Sequence, residues 1–208
     1  MHALSIPIFC CIQYRLIYKH IMVPLQKKKA ELYRRYPPAN VLIYNGSTIL
    51  HFALGGVGIV LGYEPLGWIG YAIGFGYLLF AFGEMYLRMP LRVCPNCVYY
   101  RLDKSRCISG LNIVSRRWAS AGKLEDFANR AKGPACSNNL YMVALLFPIV
   151  ALVPALWFHF SWNLLAILCV VIGLLVFRFF IIFPKLACLH CHAKFKCPQA
   201  GRMGVRDL

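Results

Sequence analysis

Four apolar runs, each roughly 20 residues long, constrain this chain more than anything else, since each suffices for one helix across about 30 Å of hydrocarbon. They cover residues 41–62, 66–89, 140–160 and 162–183. A soluble domain of 208 residues has too little interior to hide a composition that is 60% hydrophobic. The expected fold is an all-α membrane protein with four transmembrane helices. Only Tyr63-Glu64-Pro65 separates the first two runs, and a short turn near Ser161 separates the last two, so the helices pair as two hairpins. Gly58 and Gly62 are four apart, as are Gly70 and Gly74, which places small residues on one helix face and lets backbones approach closely. Trp157 and Trp162 flank the second turn as interface anchors.

The charge is as uneven as the hydropathy. Only 14% of residues are charged, yet the net charge is +16. The two tight turns carry no basic residue, whereas the N-terminal segment 1–40, the central loop 90–139 and the tail 184–208 are strongly basic. By the positive-inside rule, both termini and the central loop are expected in the cytosol, against anionic headgroups. Nucleic acid is the other usual partner of such charge, but a bilayer accounts for where these charges sit. Within 1–40, the apolar run 3–12 is too short to span and is expected to lie at the interface. Cys10 and Cys11 fall in it, and inert thiols are their simplest reading. In the central loop, Leu111, Val114, Trp118, Ala121, Leu124, Phe127 and Ala128 recur at helical spacing. They predict an amphipathic surface helix over 111–131, broken near Gly122, with a basic face.

The two halves follow one plan. Each ends its second apolar run with Pro-x3-Cys-x2-Cys: Pro90, Cys94 and Cys97, then Pro184, Cys188 and Cys191. A third cysteine follows each, Cys107 and Cys197. Six residues before each proline stands a charge inside an apolar run, Glu84 and Arg178. Intramembrane charges are costly and usually pair, so Glu84 and Arg178 are expected to meet across the bundle. The pattern reads as a parallel internal repeat.

Cys169 stands alone in the fourth run, where it serves as a small apolar side chain. The remaining cysteines, Cys94, Cys97, Cys107, Cys136, Cys188, Cys191 and Cys197, all lie on the expected cytosolic side, where disulfides are disfavoured. A Cys-x2-Cys turn brings two thiolates to one tetrahedral ion at about 2.3 Å, which points to zinc. Two divisions of the ligands are open. In one, each half closes its own site: Cys94, Cys97, Cys107 and Cys136 in the first, and Cys188, Cys191 and Cys197 with His190 or His192 in the second. In the other, Cys94, Cys97, Cys188 and Cys191 unite around one ion and clamp the hairpins. The first is preferred because it employs all seven cysteines. Iron–sulfur clusters use the same thiolate pairs, and Cys197-Pro198 matches the cysteine-proline that closes many cluster motifs. Cys188-x2-Cys191-His192 also fits c-type haem attachment, but that haem is attached on the opposite side of a membrane from this tail. His51 and His159 sit at different depths and fit a b-type haem poorly.

No nucleophile–base arrangement, phosphate loop or carboxylate pair is visible. The expected function is that of a membrane scaffold or partner-docking subunit whose cytosolic cysteine loops hold zinc, with a soluble or membrane protein as partner. The alternative is a membrane electron-transfer component carrying iron–sulfur clusters or reactive cysteines.

Overall fold

The computed structural model describes residues 30–206 except residue 134. The expected interfacial run 3–12, with Cys10 and Cys11, lies outside the described residues. The described residues are mainly helical, and the only strand-like pairing among them is an isolated bridge between Arg35 and Arg106. The helices are α1 Pro38–Gly62, α2 Trp68–Gly83, α3 Val98–Arg101, α4 Leu111–Trp118, α5 Ser137–Phe158, α6 Trp162–Phe177 and α7 Pro198–Arg202. α2 runs without interruption into a π-helical segment, π1, Glu84–Val93, and α6 into another, π2, Arg178–Cys188. Four continuous helices, Pro38–Gly62, Trp68–Asn96, Ser137–Phe158 and Trp162–Cys188, are long and apolar enough to cross a membrane. This is the architecture of a multi-pass integral membrane protein.

Each boundary has a local cause. Pro37 precedes α1 and Pro38 opens it, where the missing N–H costs nothing. The turn after α1 closes through Gly67, whose φ of 61° few side chains tolerate. The π segments begin at Glu84 and Arg178 and enclose Pro90 and Pro184. A proline ring in an α-helix collides with the carbonyl four residues back, and winding the helix wider relieves that clash.

α1 is the centre of the bundle and packs against α2, α5 and α6. Phe52, Ile59 and Leu145 are fully buried in its core. Leu42, Leu79, Val150 and Trp157 point outward, as a lipid-facing surface requires. α5 carries Pro148 and Pro154 in its interior, and each proline costs the helix a hydrogen bond. Side chains of α1, α2 and the turn between them bond to carbonyls just before them. Tyr77 Oη donates to Ala144 O at 3.0 Å, His51 Nε2 to Leu145 O at 2.9 Å and Tyr63 Oη to Ala151 O at 2.9 Å. His51 is therefore a structural donor inside the bundle.

The central loop departs from the expected amphipathic helix. It is split into α4 and a 3₁₀ segment, Leu124–Ala131. The buried face of α4 is Leu111, Asn112 and Ser115, while Ile113 and Trp118 are exposed. Polar contacts decide this: Asn112 Nδ2 donates to Ser105 O, and its Oδ1 accepts Cys107 N–H, both at 3.0 Å. Arg116, expected on a basic outer face, turns inward and donates to Tyr99 O at 2.7 Å and Tyr100 O at 2.8 Å. The break falls at Gly122, as the sequence suggests. There the backbone crosses the first cysteine turn, and Gly122 N–H bonds to Pro95 O at 3.2 Å.

The close approaches predict opposite outcomes for two glycines of α2. A Cβ at Gly70 would fall on the Tyr63 carbonyl, which cannot swing aside, whereas one at Gly76 meets nothing within 4 Å. Gly70→Ala should lower stability by about 1–3 kcal/mol. Gly76→Ala should be neutral or stabilising by up to about 1 kcal/mol. Unfolding in mixed micelles measures both.

Candidate functional site

The loops at one end of the bundle turn two separated stretches of sequence into one site. Each Cys-x2-Cys pair forms a tight turn closed in the same way. Cys97 N–H bonds to Cys94 O at 3.0 Å, and Cys191 N–H bonds to Cys188 O at 3.3 Å. Cys94 follows π1 and Cys188 ends π2, so the two wide helices deliver the turns side by side. Cys94, Cys97, Cys107, Cys188, Cys191 and Cys197 all line one cavity of about 200 Å³. No disulfide joins the described cysteines. Burial pushes the Cys191 thiol well above its usual range, and neighbouring Cys97, Cys188 and Cys197 push it further. Cys97 belongs to the other half of the chain, so the coupling crosses the halves. Val93, Phe127 and Ala193 close over the thiols as a buried apolar cover.

The other expected ligands are placed elsewhere. Cys136 does not line the cavity; it caps the start of α5, where its Sγ accepts Asn139 N–H at 3.4 Å. His190 stacks on Tyr33 with ring centroids 4.3 Å apart, and its Nδ1 is 2.8 Å from Glu31 O. His192 lies edge-on to Tyr99, with its Nε2 buried and unpartnered. Cys169 is exposed on the outer surface of α6. His51 is engaged by Leu145 O. As the side chains stand, no three His, Cys, Asp or Glu groups among the described residues are grouped so as to hold a metal ion.

A strap that the sequence does not advertise joins the two halves over this site. Residues 31–36 run between the first cysteine loop and the tail. Tyr36 N–H bonds to Arg106 O at 3.0 Å, and Tyr33 N–H bonds to His190 O at 2.9 Å. Tyr36 Oη donates to Ala187 O at 2.5 Å, and Tyr99 Oη donates to Tyr33 O at 2.6 Å. Burial raises the pKa of both phenols, with Cys191 adding to the shift. Arg106 clamps Tyr36 O through Nε at 3.2 Å and Nη2 at 2.8 Å. Lys194, counted with the basic tail in the sequence, is instead buried at the cavity wall, its Nζ donating to Leu189 O at 3.1 Å.

The intramembrane charges find other partners than each other. Glu84 Oε2 pairs with Arg88 Nη1 at 3.1 Å, one turn along π1. Arg88 also donates from Nη2 to Ala135 O at 3.0 Å, tying π1 to the approach to α5. Arg178 is 1% exposed and donates to Thr48 Oγ1. Its guanidinium carbon sits 4.9, 5.5 and 5.7 Å from the ring centroids of Tyr44, Phe183 and Tyr141. Among the described residues, no ion pair joins Glu84 to Arg178. Arg88 is the residue the sequence reading missed, and the spacing Glu84–Arg88 was its signal.

Compared with known protein families, curated proteins and solved structures, the chain has no match.

The pairing has a direct test in double-mutant cycles. Glu84→Gln with Arg88→Met should couple by about 1–3 kcal/mol. Glu84→Gln with Arg178→Met should add to within about 0.5 kcal/mol. Unfolding in mixed micelles reads out both cycles.

Proposed function

We propose that this is a membrane scaffold protein whose two hairpins, related as a parallel repeat, are clasped at their cytosolic mouth by a zinc-type thiolate centre. Cys94, Cys97, Cys188 and Cys191 are its ligands. The observation that carries this reading is the convergence of thiols from both halves on one cavity, with Cys191 coupled to Cys97 across the halves. Buried thiols at close quarters resist ionisation, and a divalent cation removes that penalty by holding them as thiolates. Of the two ligand divisions open in the sequence, this favours the one shared between halves. Cys107 and Cys197 stand at the same cavity as neighbours of the centre. The surrounding basic loops suit a partner protein with an acidic surface, against the inner leaflet.

Metal analysis of protein purified anaerobically in detergent tests the reading. One zinc per chain and no visible absorption are expected. Cys97→Ser and Cys191→Ser, from opposite halves, should each lower metal affinity by more than the roughly 10–100-fold typical of losing an outer-shell partner. Cys136→Ser should retain the metal. A visible band bleached by reductant would replace zinc with an iron–sulfur cluster. Orientation is checked separately: a membrane-impermeant thiol reagent should label Cys94 or Cys188 of metal-free protein only after the bilayer is opened.

A further inference from the structure

A four-thiolate clasp leaves part of its cavity unexplained. Four methionines line it: Met85 and Met89 of π1, Met142 of α5 and Met203 at the end of α7. They are all the methionines among the described residues. Cys107 and Cys197 line the cavity too, without a place in the clasp. Among the described residues, no histidine, aspartate or glutamate lines it. We propose that this cavity holds a second ion, copper(I), bound by the Cys197 thiolate and the thioethers of Met89 and Met203.

The donor chemistry selects the ion. Calcium and magnesium are held by oxygen ligands, carboxylates above all, and no carboxylate of the described residues is there. Zinc takes thiolate, imidazole and carboxylate, so the methionines offer it nothing. Thiolate and thioether together suit copper(I), the soft monovalent ion. Methionine is also the usual filler of irregular core gaps. That role does not require all four to face one cavity that also gathers six cysteines. Cys197 is the thiol best placed. Among the described residues it is the one cysteine that packs on both small clusters at the loop end. Met203 belongs to one of these, with Ala200 and Val205, and Met89 packs on the other, with Val93, Phe127 and Ala193. Cys197 opens the short helix α7 and Met203 closes it, so one element carries both donors to the same wall. The three rotatable bonds of methionine let each thioether adjust to an ion. The charges also balance. One thiolate and one copper(I) make a neutral complex, as the apolar walls of Phe179 and Phe183 require. Lys194 lines the same cavity, and its ammonium repels any cation that no thiolate carries. Its Nζ is anchored on Leu189 O, between Cys188 and Cys191, where the four thiolates of a zinc clasp leave net negative charge. The copper site uses none of the clasp's ligands and stands apart from what the clasp holds.

The test uses the full chain in nanodiscs, made with selenomethionine, loaded with zinc and kept anaerobic. Copper(I) is titrated against the chelator bathocuproine disulfonate. One copper(I) per chain should be retained, with the zinc content unchanged. X-ray absorption at the copper edge should show selenium as well as sulfur neighbours, a signal that methionines present only for packing would not give. Met89→Leu and Met203→Leu keep the apolar bulk and remove the thioether. Each should weaken copper(I) binding by more than about tenfold, the least that loss of an outer-shell partner costs, and each should remove one selenium neighbour. Copper seen only by sulfur would overturn the proposal, whether or not zinc is displaced. So would unchanged affinity in folded Met89→Leu or Met203→Leu. If circular dichroism shows those variants unfolded, the selenium signal of the unaltered chain decides. Zinc bound without retained copper would sink only this proposal. Copper with selenium neighbours in a chain that takes up no zinc would sink only the zinc reading.

Discussion

A backbone carbonyl in hydrocarbon has no water to accept from, and this chain places four prolines, Pro90, Pro148, Pro154 and Pro184, inside its spanning helices. Each deletes a donor that the membrane cannot replace. Much of the bundle follows from how that debt is met. In α5 the solution at Pro148 is lateral: Tyr77 donates to Ala144 O, the carbonyl four residues back that the proline leaves free, while His51 and Tyr63 donate nearby to Leu145 O and Ala151 O. The register of the α1–α2 pair against α5 is thereby fixed by hydrogen bonds, where apolar packing alone would leave it free to slide. In the second and fourth helices the solution is internal, a wider winding that makes room for the ring. That winding ends at Cys94 and Cys188, so the device that accommodates the prolines also presents the cysteine turns.

Buried charge follows the same economy. Glu84 could have crossed the bundle to Arg178, but its own π segment offers Arg88 one turn away, without fixing the distance between helices. Arg178 is then compensated by polarisable rings and a hydroxyl instead of a carboxylate. Cation–π attraction strengthens where water is excluded, and a ring costs far less to bury than a second charge. The arrangement still leaves Arg178 Nε buried without a hydrogen-bond partner.

The four spans, their tight turns and the two cysteine pairs were legible in the sequence because each is a local pattern: an apolar run, a short polar break, a fixed spacing. What escaped depended on which element faces which. Cys136 counts as a ligand by position in the chain, yet it stands at the N-terminus of α5, whose first free N–H groups its sulfur serves. The stripe Leu111, Val114 and Trp118 has helical spacing, but the cysteine loop beneath α4 exposes carbonyls, so Asn112 and Arg116 turn inward and Trp118 turns out. Arg178's partners are aromatic residues that look like ordinary membrane composition. Residues 31–36 carry no motif at all. Their role comes from backbone groups meeting two loops that are far apart in sequence.

That strap bears on why the thiols gather in one place. The first cysteine loop and the tail already meet through the buried cluster of Val93, Phe127 and Ala193 and through His192 N–H on Tyr99 Oη. The strap spans both. Tyr33 and Tyr36 bond to His190, Ala187 and Arg106, while Tyr99 reaches back to Tyr33. Each such bond contributes only about 1 kcal/mol net, but together they close a ring through all three segments. With the loops set in register before any ligand arrives, the ordering cost that a metal would otherwise meet is already part of the folded state. Tyr36 and Tyr99 of the same ring lie against Cys191, whose thiol is pushed well above its usual range by burial and by its cysteine neighbours.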